Sequence, residues 1–391
     1  MILSDVCEFI VDCPHSTAPD EGEGYPLIRT PNVGKGRLDL NGVHRVSESV
    51  YKQRIQRGAP RANDLIFARE APAGNVALVQ ENQTVCLGQR TVLIRPNVQK
   101  VNPQYLVYYL LSPKPQYELL GTANGATVAH VNLPAIRNLK IELPEKSVQD
   151  KIGTILVTYD DLIENNQKQI KLLEEVAQRL YKEWFVDLRF PGHENTKIVD
   201  GVPEGWSKST VGNICKLRKV VITPDKIESN TPYIGLEHMP RNDICLSTWG
   251  KSEEINSNKF IYLKKDVLFG KIRPYFHKVG FALNDGITST DTMVMVADQN
   301  LWGLLLVTVS SDAFVDFSYQ NCKEGAKMPR ADWKQMEKYA IMIADQATQK
   351  LFEQEILVIT NKISALAFQC RSLREARDRM LPKLMGGEVE V

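Results

Sequence analysis

Residues 151–184 read KIGTILVTYDDLIENNQKQIKLLEEVAQRLYKEW. Ile152, Leu156, Tyr159, Ile163, Asn166, Ile170, Leu173, Ala177, Leu180 and Trp184 follow one another in alternating steps of four and three. That period marks a coiled-coil seam, narrower than the face of a globular helix. A second seam repeats the steps at Phe352, Ile356, Ile359, Ile363, Leu366, Cys370, Leu373, Arg377, Met380 and Leu384. Each covers about 32 residues, or roughly 48 Å of helix. The two most simply bury against each other, and a short linker makes them antiparallel. The expected register sets Ile170 against Leu366, Leu180 against Ile356 and Tyr159 against Arg377, to within one heptad, with Asn166 facing Cys370 as a polar pin. Pro382 is expected to fray or kink the last turn.

The helices belong to a larger internal repeat with a shift of roughly 200 residues. Gly125-Ala126-Thr127-Val128-Ala129-His130 is echoed by Gly325-Ala326-Lys327-Met328-Pro329-Arg330, and Leu173-Glu174-Glu175 by Leu373-Arg374-Glu375. Upstream, Asp64-Leu65-Ile66-Phe67-Ala68-Arg69 resembles Asp266-Val267-Leu268-Phe269-Gly270-Lys271. Gln89-Arg90-Thr91-Val92-Leu93-Ile94 aligns with Thr290-Asp291-Thr292-Met293-Val294-Met295, and Leu27-Ile28 with Tyr233-Ile234. Short β-branched runs among Gly and Pro make the rest strand-rich, with a helix around Tyr105 to Leu111. The reading is an α+β chain: a mixed α/β globule over 1–145, a long helix over 146–190, a linker over 191–205, a second globule over 206–345 and a second long helix over 346–391. The two similar globules, separated by an antiparallel coiled coil, imply pseudo-two-fold symmetry.

At 391 residues, 43% hydrophobic and 24% charged, the chain has the composition of a soluble protein of two to three domains. A net charge of +1 gives no global sign of a polyanion partner. Seven scattered cysteines without a Cys-x-x-Cys pair favour free thiols in a reducing cytoplasm. No secretory signal pattern follows Met1, and the run from Leu301 to Val309 is about half a membrane span, hence a buried element and no membrane anchor. Phosphate-loop, dinucleotide-turn and zinc-helix motifs are missing, as is the Asn/Asp-Pro-Pro-Tyr/Phe segment of an amino-methyltransferase. With only six dispersed histidines, neither a metal site nor a bound cofactor is expected.

Positive charge gathers locally instead. Lys52, Arg54, Arg57, Arg61 and Arg69 precede or close the first Asp-apolar-Phe patch; Lys271, Arg273, His277 and Lys278, interleaved with Tyr275 and Phe276, follow the second. Such clusters suit phosphates, with Arg, Lys, Gln or Asn reading base edges, although a basic run is also the ordinary composition of a solvated face. Gln89 and Arg90 have no like pair in the second half, so they are half-specific readers or plain surface. His130 and Arg330 hold equivalent places before the helices as caps or DNA contacts, and Lys327 beside Arg330 completes the candidates.

Together these features resemble the specificity subunit of type I restriction-modification systems, over essentially the full length. Val202-Pro203-Glu204-Gly205-Trp206 looks like the opening of a recognition domain, and Gly125 to Pro144 with Gln149-Asp150-Lys151-Ile152 like the lead-in to the helix. The first half lacks that opening and begins at Leu3-Ser4-Asp5-Val6, which is similar to Val211-Gly212-Asn213-Ile214; in the second half Ala344 replaces the family's proline. The resemblance implies a non-catalytic subunit whose two target-recognition domains each read half of a split, asymmetric double-stranded DNA target, with the coil setting the spacing. It further implies docking of two modification subunits that use S-adenosylmethionine, and of restriction subunits that use ATP and Mg. Two other classes stay open on the residues alone. A solitary, degenerate methyltransferase or nuclease would act without partners, and a coiled-coil scaffold would show no sequence-dependent DNA affinity.

Overall fold

Leu65-Ile66-Phe67-Ala68 is apolar throughout, and alternate side chains of a strand face opposite ways. In the computed structural model, which describes residues 1–121, 129–253, 255–322 and 328–391, Leu65 and Phe67 enter one core and Ile66 and Ala68 another. The repeat partner does likewise, with Val267 and Phe269 on one side and Leu268 on the other. Each is the middle strand of a five-stranded sheet. The first sheet comprises β1 (Cys7–Asp12), β2 (Gly36–Arg37), β3 (Leu65–Ala68), β4 (Val76–Leu78) and β5 (Thr91–Pro96) in the order β1-β5-β3-β4-β2. The second comprises β6 (Cys215–Leu217), β7 (Cys245–Leu246), β8 (Val267–Gly270), β9 (Val279–Ala282) and β10 (Thr292–Ala297) in the order β6-β10-β8-β9-β7. Only the last pairing of each is parallel. The repeat seen at Leu27-Ile28 and Tyr233-Ile234 also recurs, since both strands pair in parallel, with Cys86–Leu87 and Gly286–Thr288 respectively.

By contacts the chain divides into Met1–Glu164 with Ser372–Val391, and Asn165–Arg371. The long helices α2 (Lys146–Tyr181) and α5 (Gln346–Met385) are therefore shared between the units, whereas α1 (Pro103–Leu111), α3 (Trp302–Val309) and α4 (Asp312–Gln320) each lie within one. Asn102 caps α1 by accepting from the Tyr105 N–H at 3.0 Å, and Pro103 supplies a preset first turn. The Leu301 to Val309 run forms the wholly buried α3. Among the described residues no helix is long and apolar enough to cross a membrane.

Inside the first unit Ile152 and Leu156 share a core with Leu384 and Met380, so the helix segments run antiparallel. Inside the second, Ala177 and Trp184 share a core with Phe352, Ile356, Ile359 and Ile363 in the same sense. The register lies within a residue of expectation, but the polar positions differ. Asp160, not Tyr159, meets Arg377, because the buried carboxylate also accepts the Tyr108 hydroxyl and needs both donors. Asn166, buried in the seam, donates to Gln369 Oε1 at 3.4 Å, one residue from the expected Cys370. Ile170, Leu173 and Leu180 are half-buried, while Glu174 points inward and accepts the N–H groups of Ile244 and Cys245 at 2.9 and 3.1 Å. The helix does not stop at Pro382 but runs to Met385, its end held by the burial of Leu384.

Candidate nucleic-acid interface

The repeated Asp-apolar patch builds the same frame twice. Asp64 accepts from the Arg61 N–H at 2.9 Å and from the Arg95 side chain; Asp266 accepts from the Leu263 N–H at 2.8 Å and from Arg218. Both acids are buried turn locks at the start of the middle strand. After the strand, Arg69 donates its N–H to the Arg90 carbonyl at 2.9 Å and accepts from the Val131 N–H at 3.0 Å. Lys271 repeats this with Asp291 and Ala331, at 2.8 and 2.9 Å. His130 and Arg330 thus sit at matching places beside the end of the middle strand.

The side chains on this frame differ. Arg69 is buried and spends its guanidinium on the Val131 carbonyl at 2.9 Å, Asp12 at 2.7 Å and His130 Nε2 at 2.8 Å. Since arginine only donates, that nitrogen accepts, leaving His130 Nδ1 facing Glu70. Glu70 also holds Arg90 at 3.0 Å. In the second unit Lys271 reaches the Thr290 carbonyl at 2.7 Å, and Arg330 pairs with Asp291 at 2.9 Å. Burial holds the Lys271 and Lys278 ammonium groups below the usual lysine range, with Arg241 adding to the effect at Lys278.

The remaining candidates divide by exposure. Arg54 is buried and donates to the carbonyls of Pro14, Ser16 and Leu87, so together with Arg69 it is a structural arginine, a correction to its reading as a DNA contact. The reason is that a guanidinium satisfies several carbonyls at once, which the count of charges in the sequence does not reveal. Lys52 and Arg61 are exposed in ion pairs with Glu48 at 2.9 Å and Glu8 at 3.1 Å. Arg57 donates to the Cys13 carbonyl and Gln89 to the His15 carbonyl, at 3.1 and 3.0 Å. His277 lies 2.8 Å from the Ser310 carbonyl and 3.3 Å from Asp312, Lys278 donates to the Leu236 carbonyl, and Arg273 lies over Phe276. Lys327, with most of the Gly125 and Gly325 repeat patches, lies outside the described residues. Asp12, Glu70 and Arg241 complete the two sites and were not singled out in the sequence; only Glu70, next to Arg69 in the repeated patch, carried any signal there.

Among the described residues no group of three or more His, Cys, Asp or Glu is placed to hold a metal ion. A sheet built twice, with cations beside the end of its middle strand each time, defines a tandem-repeat protein. The comparisons place it further. Residues 1–175 match the model of the type I restriction modification DNA specificity domain. The type I restriction enzyme MjaIX specificity subunit of Methanocaldococcus jannaschii is 26% identical over 90% of this chain and 83% of its own length. The EcoBI specificity subunit of Escherichia coli is 26% identical over 42% of this chain and 37% of its own. The crystal structure of the S subunit of a type I restriction-modification system from M. genitalium shares the fold, with a TM-score of 0.57 at 15% identity over 98% of this chain and 95% of that one. Over residues 1–175 the chain is thus similar to a type I restriction modification DNA specificity domain, and over nearly its full length to a type I specificity subunit. The relatives matched are named as specificity subunits of type I restriction enzymes.

Proposed function

We propose that each unit reads one half of a bipartite, asymmetric duplex target, and that the chain thereby directs adenine methylation and restriction carried out by partner subunits. The observation that carries this is the frame itself: one backbone arrangement built twice, at Arg69 and at Lys271, and furnished with different side chains. Specificity requires such a difference, because phosphate contacts position a protein while base contacts select. The readers are drawn from the exposed or half-exposed set: Lys52, Arg57, Arg61, Gln89, Arg90 and His130 in the first unit, and Lys271, Arg273, His277, Lys278 and Arg330 in the second. Two modification subunits supply the S-adenosylmethionine chemistry, and restriction subunits use ATP and Mg, all in the cytoplasm.

Methylome sequencing of the host with and without the gene tests this reading, the expected result being loss of one split motif. Replacing residues 1–145 with another recognition domain should then change one half of the motif only. A swap that altered both halves would end the modular reading.

A further inference from the structure

The loop joining β8 to β9 differs from its counterpart in both shape and chemistry. Arg273 and His277 each have φ of +51°, a left-handed conformation rare for residues with side chains. Pro274 stands between them, and the loop is pinned on several sides. The Arg273 N–H donates to the Pro329 carbonyl at 2.8 Å, the Asn242 N–H to the His277 carbonyl at 3.1 Å, and the His277 ring meets the Ser310 carbonyl. This presents Tyr275, 46% exposed, with its ring centroid 5.2 Å from that of Tyr319, which is equally exposed, and 4.9 Å from that of Phe276. The guanidinium of Arg241 lies 4.0 Å from the Phe276 ring centroid and that of Arg273 5.8 Å, and neither has a carboxylate partner among the described residues. Glu237 and Asp312 are the acids nearby. In the first unit the equivalent loop is Ala71-Pro72-Ala73-Gly74, where Ala73 packs on the core and no aromatic residue is present.

A rigid, half-exposed aromatic tip ringed by unpaired cations fits a polyanion with apolar features between its charges. We infer that Tyr275 is a specificity-determining residue of the second unit, its ring making an apolar contact with base edges of duplex DNA while Arg241 and Arg273 hold the flanking phosphates. This rests on the reading of the chain as a DNA-specificity subunit and names a residue that carries out the reading.

The test uses the full chain assembled with its modification subunits and a randomised duplex library, followed by binding to the selected duplex and to a scrambled one. Tyr275→Ala should relax selection within one half of the motif and lower affinity for the selected duplex about tenfold. Tyr275→Phe should keep both, and Arg241→Ala should weaken selected and scrambled duplexes alike. The melting temperature of each variant shows that it is folded. An unchanged motif with affinity within about twofold of the original overturns the inference. So does a Tyr275→Ala complex that loses modification subunits while selecting the same motif, which would make the tip a protein contact. If the unaltered complex selects no motif at all, the DNA reading itself falls, and the inference with it.

Discussion

The helix layers of the two units occupy repeat-equivalent positions with opposite chemistry. In the first unit Tyr108 on α1, Asp160 on α2 and Arg377 on α5 form a buried hydroxyl, carboxylate and guanidinium group. In the second, Thr308 on α3, Thr360 on α5 and Ala177 on α2 hold the corresponding places, and Thr360 satisfies itself on the Ile356 carbonyl at 2.7 Å. The long helices have exchanged roles: the carboxylate comes from α2 in one unit, and its counterpart from α5 in the other. A similar exchange sets the close approach of long and short helices. Gly153 on α2 passes over the Tyr105 backbone in the first unit, whereas in the second the glycine, Gly303, belongs to the short helix and faces Glu353 and Ile356 on α5. The repeat therefore preserves where the helices sit and leaves open how the space between them is filled.

The largest test of that contrast is Asp160→Ala. It strands a buried guanidinium and a buried phenol, and should remove about 3–5 kcal/mol of stability in urea unfolding. Importing part of the second unit's solution, with Asp160→Thr and Arg377→Ala together, should recover part of the loss; a double variant no more stable than the single one would break the equivalence.

Next is a pH effect confined to the second unit. Burial, aided by Asp243, pushes the Glu174 carboxyl up to about 8, against the two backbone N–H groups that favour its charged form. The folded chain thus binds this proton more tightly than the unfolded chain. Stability from this group is highest below the ordinary glutamate range and falls as pH rises through about 8, by roughly 2–4 kcal/mol in all. Urea midpoints measured from pH 5 to 9 (about the window that linkage sets) should show this slope, and Glu174→Gln should flatten it; a slope that survives the substitution assigns it elsewhere.

Beside the end of the middle strand, Arg69→Ala should destabilise by about 2–3 kcal/mol because it frees Asp12 and the Val131 carbonyl, whereas Lys271→Ala, losing one carbonyl contact, should be worth about 1 kcal/mol. The smallest effect belongs to Arg90→Ala, an exposed ion pair with Glu70, at about 0.5 kcal/mol or less. Equal losses at Arg69 and Lys271 would mean that the two edges differ less than their contacts suggest.

The architecture was largely legible in the sequence because periodicity reports geometry. The steps of four and three located α2 and α5, and the Asp64 and Asp266 patches marked the repeat, whose place as middle strands only the folded sheets reveal. Chemistry within the frame was less legible. Asp160 and Glu174 read as outer positions of the heptad, and only their three-dimensional donors, Tyr108 and the Ile244 and Cys245 amides, explain their burial. Arg54 and Arg69 counted as charge in a basic run, yet carbonyls brought from far along the chain absorb them. Arg241 lies beside Phe276 only after folding, so nothing in its local sequence could announce it.

The division into units also sets an order of assembly. The second unit is complete by Arg371, while the first draws Met380 and Leu384 from Ser372–Val391 into its core. On the ribosome, the domain encoded first must therefore wait for residues 372–391 before it can close, and the domain encoded within it is complete ahead of its host. A nascent chain arrested after Arg371 should protect the second unit from protease and leave the apolar surface of Ile152 and Leu156 uncovered, in the state most exposed to aggregation or to capture by a chaperone.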